Sequence, residues 1–324
     1  MTLCVLGAGA FGSAIAITLA KTTKMIVLWS RSQKFADNLQ KTRKNKKYLL
    51  TSYFSPNISI THNIDEAVRD AEAIIICIPA QKVYNFLNTN YSKLPKVPIV
   101  ICSKGIDERS SLLQSQVVRN FLNHNEISIL TGPSFANELS LGLPTALTLA
   151  CRHEKVKTFL QKTLTTPNLR LYSTSDIIGA QLGGALKNVI AIGCGMVKGA
   201  GLGESASTAL MTRGLSEIIN LGIAMGAEAH TFYGLSGLGD LALTCSSTQS
   251  RNLAFGLNYK DSSVFDSNVT VEGVRTASAA KNLAKTFGIE VPIINTVDLI
   301  LKNKLSFRSS IDDLLSRPLK EEYI

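Results

Sequence analysis

Residues 3–12 read Leu3-Cys4-Val5-Leu6-Gly7-Ala8-Gly9-Ala10-Phe11-Gly12, which is an apolar run followed by three glycines at G-x-G-x-x-G spacing. An alanine-rich helical pattern comes next, so strand, glycine turn and helix follow in the order that dinucleotide binding requires. The first glycine permits a tight turn, the second lets the backbone approach a pyrophosphate, and the third lets helix and strand pack closely. Free N–H groups at the helix start then bind the phosphates. The stretch predicts a dinucleotide site, with a purely structural glycine turn as the alternative.

Alternating patterns extend this unit through the first half of the chain. Continuous apolar strands separated by helices are typical of a parallel sheet that is covered on both faces. The predicted strands are Leu3–Leu6, Met25–Trp29, Ala73–Ile78, Ile99–Cys102, Ile127–Leu130, Thr145–Ala150 and Leu169–Tyr172. Helical patterns lie between them, such as Gly12–Lys21, Asp65–Arg69, Leu112–Leu122 and Val156–Leu164. The first half is therefore expected to belong to the α/β class.

The strand signal stops after about Asp176. The later segments are rich in Ala, Gly and Leu and predict the helices Ile177–Val197, Ala206–Met225, Val274–Phe287 and Ile293–Leu301. A length of 324 residues also exceeds the usual size of one hydrophobic core. We therefore predict two domains, residues 1–178 and residues 179–324, which pack tightly because no flexible linker separates them.

The composition narrows the class of protein. Hydrophobic residues make up 45% of the chain and charged residues 18%, which is typical of a folded globular protein. The net charge of +10 favours anionic partners without selecting one kind. Six dispersed cysteines suit free thiols in a reducing compartment, and four scattered histidines lack the spacing of zinc ligands. We expect an intracellular protein without a bound metal.

Three segments imitate targeting or binding signals. Met1–Ala20 is uncharged, but it lacks a basic start and carries glycines through its middle, unlike a signal peptide. Five glycines interrupt Ile177–Val197, which argues against a membrane span. Basic residues cluster between Lys41 and Lys47, but an aromatic content of 6% is low for stacking on nucleic acid. We expect neither membrane insertion nor nucleic-acid binding, and we interpret the basic cluster as a solvated helix end.

The end of the second predicted strand bears on the choice of nucleotide. In this kind of site an acidic residue binds the ribose 2′-hydroxyl of NAD, whereas an arginine accommodates the 2′-phosphate of NADP. The chain has Arg31 between Ser30 and Ser32. The sequence therefore favours NADPH, with NADH also used.

One lysine stands out in the second half. Lys187 is the only charged residue in Ile177–Val197. Burial of an unpaired ammonium is costly, so Lys187 should have an acidic partner or line a polar cavity. A protonated lysine can supply the proton that reduction of a ketone by hydride transfer requires. A buried ion pair with a purely structural role remains the alternative. The neighbouring Asn188 is either a site residue or an ordinary helix residue.

Further candidates follow strands or glycine turns. Ligands bind beyond the carboxyl ends of parallel strands, so Lys104 is either a crevice residue or a solvated lysine. Gly132-Pro133-Ser134-Phe135-Ala136 follows another strand, and its donors could meet a substrate or cap a helix. Asp240 is a candidate partner for a lysine. Arg251 in Ser250-Arg251-Asn252 offers a planar fork for a phosphate, although a surface arginine would give the same pattern.

Together these motifs resemble the bacterial NAD(P)-dependent glycerol-3-phosphate dehydrogenase family. The likeness covers nearly the whole chain and rests on blocks in one order: the glycine turn to Gly12, Ser103-Lys104-Gly105, Gly132–Ala136, Leu186-Lys187-Asn188, the run to Asp240, Ser250-Arg251-Asn252 and Val271-Glu272-Gly273. It implies an N-terminal Rossmann-type doubly wound sheet followed by an all-helical C-terminal domain. It also implies reversible reduction of dihydroxyacetone phosphate to sn-glycerol 3-phosphate by a cytoplasmic homodimer that supplies glycerophospholipid biosynthesis.

The resemblance implies roles for individual residues as well. Lys187 exchanges a proton with the substrate oxygen, and Lys104 and Asp240 are the other catalytic residues. The implied substrate contacts are Lys104, Gly132, Ser134, Asn188, Asp240, Ser250, Arg251 and Asn252. The implied cofactor contacts are Gly7, Gly9, Ala10, Phe11, Gly12, Arg31, Lys104, Ala136, Arg251 and Glu272. No metal is implied.

Two other functions fit the same architecture. A related dehydrogenase could act on a 3-hydroxy acid, because an arginine can hold a carboxylate as well as a phosphate. A protein that binds NAD(P) and senses it without catalysis would have no use for Lys187 opposite Asp240. A substrate panel separates the first alternative, and consumption of NADPH in the presence of dihydroxyacetone phosphate separates the second.

Overall fold

The computed structural model describes residues 1–49, 51–259, 271–307 and 309–310. Within them one sheet contains the strands β1 (Thr2–Leu6), β2 (Met25–Trp29), β3 (Ile58–Thr61), β4 (Ala73–Ile76), β5 (Ile99–Ile101), β6 (Ile127–Thr131), β7 (Thr145–Ala150) and β8 (Leu169–Thr174). Their spatial order is β3-β2-β1-β4-β5-β6-β7-β8. The α/β class and the doubly wound arrangement are confirmed.

Helices lie between the strands and then follow the sheet. Those between strands are α1 (Ala10–Leu19), α2 (Gln33–Thr42), α3 (Ile64–Val68), α4 (Ala80–Asn90), α5 (Gln114–Phe121), α6 (Ala136–Leu141) and α7 (Glu154–Leu164). Those after the sheet are α8 (Ile177–Gly199), α9 (Gly203–Ala224), α10 (Asp240–Ser246), α11 (Arg251–Leu257), α12 (Glu272–Thr286) and α13 (Pro292–Leu301). The described residues beyond β8 contain no further strand, in agreement with a helical second half. The division at residues 178 and 179 stays a prediction; it falls in the first turn of α8, and the second predicted domain extends past the described residues.

One strand pair departs from the predicted parallel sheet. β7 runs antiparallel to β6, whereas the other neighbouring pairs are parallel. The reason lies in α6, which has 6 residues. A helix of that length covers only about 9 Å. The chain therefore does not return to the end of the sheet where β6 begins, and β7 starts near the end of β6 and runs in the opposite direction.

Helix α8 forms the centre of the second half. Asp176 caps its first turn, because the carboxylate Oδ1 accepts the N–H of Gly179 at 2.8 Å while Oδ2 accepts the N–H of Glu228 at 2.9 Å. Helices α9 to α12 surround it. By length and composition α8 could cross a membrane, but 94% of its most apolar window is buried inside the protein. Its apolar character is therefore accounted for by its place in a protein core.

Candidate active site

The predicted residues of the first half gather along one edge of the sheet. The strands β1, β4, β5 and β6 are mutually parallel, so their carboxyl ends share this edge. β2 and β3 extend to one side of β1 while the later strands extend to the other, and such a change of direction leaves a ligand-binding crevice. The glycine turn follows β1, Lys104 follows β5 and Gly132 follows β6.

The three glycines of the turn have different surroundings. Gly7 has a φ of 117°, and a Cβ there would lie 2.8 Å from the carbonyl oxygen of Cys77. A Cβ at Gly12 would clash with the carbonyl oxygen of Gly7, so α1 packs directly on the turn. A Cβ at Gly9 would meet no atom within 4 Å, and no side chain caps α1. Uncapped N–H groups beside open space fit the pyrophosphate of a dinucleotide.

Two lysines share one buried carboxylate at the same edge. Lys187 on α8 donates to Asp240 Oδ1 and, at 2.7 Å, to Thr244 Oγ1. Lys104 donates to Asp240 Oδ2 at 2.8 Å and to the carbonyl oxygen of Gly132 at 3.0 Å. The Asp240 side chain is only 1% exposed. The expectation that Lys187 has an acidic partner is confirmed, and the partner is shared with a lysine from the first half of the chain.

Burial changes the acidity of Lys187. Desolvation by burial, together with the neighbouring charge of Lys104, lowers the pKa of its ammonium to about 8, although Asp240 opposes both effects. A group with such a pKa is protonated at neutral pH and gives up its proton with little free energy. Lys187 can therefore both donate and accept a proton near physiological pH.

Local helix geometry brings Asp240 and Thr244 together. Asp240 begins α10 directly after a π-helical turn, Leu235–Gly239, and such turns are frequent at functional sites. Thr244 lies four residues further on, so both side chains are on one face of α10. Gly183 on α8 leaves room for this turn, because a Cβ there would clash with the Ser236 carbonyl oxygen. Sequence reasoning assigned no role to Thr244, although its spacing from Asp240 was a usable signal.

A chain of amides links three helices beside the lysines. Asn252 Nδ2 donates to Asn188 Oδ1 at 2.9 Å, and Asn252 Oδ1 accepts the N–H of Gly273 at 3.1 Å. Ser250 caps α11 by accepting the N–H of Leu253 at 3.2 Å. These bonds fix the predicted substrate residues of α8 and α11 relative to one another and to the start of α12.

Glu272 connects the helical half to the crevice. Its carboxylate lies near the backbone N–H of Ala80 at the start of α4. Burial raises the pKa of Glu272 above its ordinary value, and the positive charges of Arg251, Lys104 and Lys187 oppose that rise. Glu272 and Arg251 therefore lie close enough to the two lysines to share one electrostatic environment.

The remaining predicted residues lie along the crevice without joining the lysine pair. Arg31 is exposed immediately after β2 and forms no ion pair with the described residues. Ala10 and Phe11 belong to the first turn of α1, and Ala136 is the first residue of α6. Ser134 Oγ donates to the Gly132 carbonyl oxygen at 3.4 Å. The roles of all these residues stay predictions.

Comparisons with known proteins agree along the whole chain. The model of the NAD-dependent glycerol-3-phosphate dehydrogenase N-terminus matches residues 2–157, and that of the C-terminus matches residues 176–312. A glycerol-3-phosphate dehydrogenase (NAD(P)+) of Ruegeria sp. strain TM1040 is 46% identical, covering 99% of this chain and 100% of the relative. The Roseobacter denitrificans protein of the same name is 44% identical over 99% of this chain and 100% of its own length. The crystal structure of a Coxiella burnetii glycerol-3-phosphate dehydrogenase superposes with a TM-score of 0.90 at 31% identity, covering 98% of this chain and 99% of that one.

Proposed function

This chain belongs to the NAD-dependent glycerol-3-phosphate dehydrogenase family, and from that premise we propose that it reduces dihydroxyacetone phosphate reversibly to sn-glycerol 3-phosphate with NADH or NADPH. The observation that carries the proposal is the buried Asp240 carboxylate between Lys187 and Lys104, at the crevice edge that also holds the glycine turn. A cofactor sensor has no need of two lysines on one carboxylate.

In the reduction, Lys187 donates its proton to the carbonyl oxygen of the substrate. When bound, the nicotinamide supplies the hydride to the carbonyl carbon. Asp240 and Thr244 hold the Lys187 amine in place, and its lowered pKa eases the transfer. Lys104 keeps a positive charge beside the oxygen while negative charge develops on it, and fixed charges of this kind stabilise a transition state. The reverse reaction uses the neutral amine of Lys187 as the base.

The substrate phosphate is bound by Arg251, with Asn252, Asn188 and Ser250 beside it. The Arg251 guanidinium is exposed at the start of α11 and presents a planar fork that matches two phosphate oxygens. The amide chain from Asn188 to Asn252 holds this end of α11 close to Lys187. Phosphate and carbonyl oxygen are thereby bound at neighbouring points.

Arg31 favours NADPH over NADH. Its exposed guanidinium directly follows β2, where a 2′-phosphate would bind, and the described residues offer it no competing ion pair. Replacement of Arg31 by Asp should invert the preference, measured as the ratio of kcat/KM for the two cofactors. An unchanged ratio would remove Arg31 from the specificity site.

The state of the cysteines bears on the cellular setting. The six cysteines are free in the structure, which supports a reducing compartment and hence the cytoplasm. We also propose a homodimer and a role in supplying glycerophospholipid biosynthesis, both of which rest on the family alone.

One assay separates the proposal from its alternatives. The purified protein is incubated with NADPH or NADH and either dihydroxyacetone phosphate or a panel of 3-oxo acids, and cofactor absorbance is followed. Oxidation of cofactor with dihydroxyacetone phosphate supports the proposal, with Lys187→Ala as the inactive control. Oxidation with a 3-oxo acid alone would identify a 3-hydroxyacid dehydrogenase, and cofactor binding without oxidation would identify a sensor.

A further inference from the structure

The segment after α2 contains a fully buried amide that sequence reasoning did not single out. Asn45 is 1% exposed, although it lies within the basic run between Lys41 and Lys47. Its Nδ2 donates to the carbonyl oxygen of Ala8 at 3.1 Å and to Ser13 Oγ at 2.8 Å. One amide thus ties the glycine turn to the second turn of α1.

We propose that Asn45 is a positioning residue for the dinucleotide pyrophosphate. A peptide unit is planar and trans, so the carbonyl of Ala8 and the N–H of Gly9 point in opposite directions. The bond from Asn45 to the Ala8 carbonyl therefore directs the Gly9 N–H away from Asn45. The orientation of this donor is set by a side chain that belongs to neither the turn nor the helix. The inference rests on the proposed use of this turn for NAD(P)H.

The glycine turn requires a side chain from another segment to fix its backbone. Gly9 lacks a side chain and a capping partner, and glycine has more backbone freedom than other residues. A side-chain cap on α1 would occupy N–H groups that the pyrophosphate needs. Asn45 avoids this conflict, because it binds the Ala8 carbonyl oxygen and the Ser13 hydroxyl and leaves the first N–H groups of α1 uncovered.

The backbone around Asn45 is itself held by hydrogen bonds. The backbone oxygen of Asn45 accepts the N–H groups of Tyr48 at 3.1 Å and Leu49 at 2.8 Å, which forms a tight turn. Two residues earlier, the Arg43 guanidinium donates to the carbonyl oxygens of Phe54 at 3.3 Å and Ile58 at 2.7 Å. The loop is therefore held on both sides of Asn45 and can transmit a fixed geometry to the glycine turn.

The chemistry of the side chain also argues for a specific task. Asn45 Oδ1 is buried and accepts no hydrogen bond from the described residues. An unpaired buried amide oxygen destabilises a protein, and an apolar side chain at this position would avoid that loss. An apolar side chain, however, would lack the two hydrogen bonds that Asn45 Nδ2 donates.

The experiment compares two asparagines that bind opposite ends of α1. Asn57 Nδ2 donates to the carbonyl oxygens of Ala20 at 2.8 Å and Thr23 at 2.9 Å, so Asn57→Ala also removes two hydrogen bonds from an amide nitrogen, but far from the glycine turn. For Asn45→Ala we expect the Kd for NADPH, measured by titration of the full chain, to rise about tenfold, because two hydrogen bonds that orient the donors are lost. Its kcat at saturating NADPH should stay within about twofold, since the lysine pair is untouched. Asn57→Ala should lower the thermal midpoint and leave the Kd unchanged.

Further variants keep the inference falsifiable. In Asn45→Ser the side chain is too short to reach both acceptors. If Asn45→Ala does not fold, the Kd of Asn45→Ser for NADPH is used for the same comparison. Ser13→Ala combined with Asn45→Ala should raise the Kd by less than the product of the single effects, because both remove one shared bond. An Asn45 variant that loses thermal stability but keeps the wild-type Kd overturns the inference. A wild-type protein that binds NADPH but does not oxidise it with dihydroxyacetone phosphate overturns the proposed function instead.

Discussion

At the scale of single residues, the site depends on one carboxylate that serves two ammonium groups. Asp240 neutralises only part of the charge of Lys187 and Lys104, so the pair keeps a net positive charge in a buried place. A positive site attracts a phosphorylated substrate and stabilises an oxyanion. The same arrangement makes Lys187 a weaker base than an exposed lysine.

Lys187→Ala should lower kcat by about 10² or more, because positioned acid–base groups contribute about 10²–10⁴ to the rate. Binding of NADPH should persist, since the glycine turn is unaffected. Initial rates at saturating substrate and cofactor, with a separate cofactor titration, test both statements. A near-normal kcat in this variant would show that another group handles the proton.

The pH dependence should differ between the two directions. The pKa of Lys187 is lowered to about 8, so its ammonium loses the proton as the pH rises through that value. The kcat/KM for reduction should therefore fall above about pH 8, whereas that for oxidation should rise over the same range, because it needs the neutral amine. In Lys187→Arg the guanidinium stays protonated and both inflections should vanish from the residual activity. A profile that is flat between pH 7 and 9 in the wild type would contradict the assignment.

Arg251→Ala should act on substrate capture more than on chemistry. The loss of a bidentate phosphate contact should raise the KM for dihydroxyacetone phosphate by about tenfold or more, with a smaller change in kcat. Arg251→Lys should recover part of the affinity, since the charge remains and the fork is lost. Steady-state kinetics with varied substrate measure the split, and an unaltered KM in both variants would remove Arg251 from the phosphate site.

At the scale of elements, the site depends on the close approach of the α8 and α11 backbones. A Cβ at Gly195 would clash with the Leu253 carbonyl oxygen, whereas the atoms nearest to a Cβ at Gly193 are side-chain methyl groups of Leu210 and Val297, at 3.3 Å. A backbone atom cannot move aside as a flexible side chain can. The two glycines of one helix thus differ sharply in what they tolerate.

We expect Gly195→Ala to destabilise the protein by about 1–3 kcal/mol, because overpacking forces the two backbones apart. Gly193→Ala is the matched control and should change the free energy of unfolding by less than about 1 kcal/mol, since alanine favours a helix more than glycine. Denaturant titrations of both variants provide the test. Equal losses in the two would mean that the α8–α11 contact is looser than the structure indicates.

Sequence patterns predicted long, strongly apolar elements better than short or half-exposed ones. α8 was predicted within two residues of its observed end, because the long segment Ile177–Val197 contains few polar residues and a single charge, Lys187. β3 has only 4 residues, and α2 buries only Ala36 and Leu39, so neither pattern rose above its polar surroundings. α4 was not named among the predicted helices although Val83, Phe86 and Leu87 have helical spacing, because most of its other residues are polar.

At the scale of the whole molecule, the site is assembled from both halves of the chain. Lys104 and Asp240 are 136 residues apart, and Lys187 and Asp240 are 53 apart. Sequence analysis could nominate these residues one by one, from strand ends and from a lone charge in an apolar segment. It could not determine that one carboxylate serves both lysines, because that depends on how α8 and α10 dock on the sheet edge. The hydrogen bonds of Asn45 were not predicted for the same reason, since its acceptors belong to the glycine turn and α1 and not to its own segment.

Asp240→Asn tests this assembly as a whole. The variant leaves two buried lysines without a counter-ion, and removal of one partner of a buried pair typically costs about 3–5 kcal/mol. Asp240 raises the pKa of Lys187, so its loss should move the upper pH limit of any residual reduction below about 8. Between that lower pKa and about 8 the folded variant binds fewer protons than the unfolded chain, so its stability rises with pH there.

The deficit in thermal midpoint relative to wild type should therefore be greatest in acid and should narrow towards pH 8. Asp65→Asn is the control, because it removes a surface pair with Lys93 at 2.8 Å, and exposed pairs contribute only about 0–1 kcal/mol. Thermal unfolding across pH measures both variants. If the Asp240→Asn deficit were small and independent of pH, the two lysines would have to be solvated, and the buried charge cluster could not be what joins the two halves into one catalytic site.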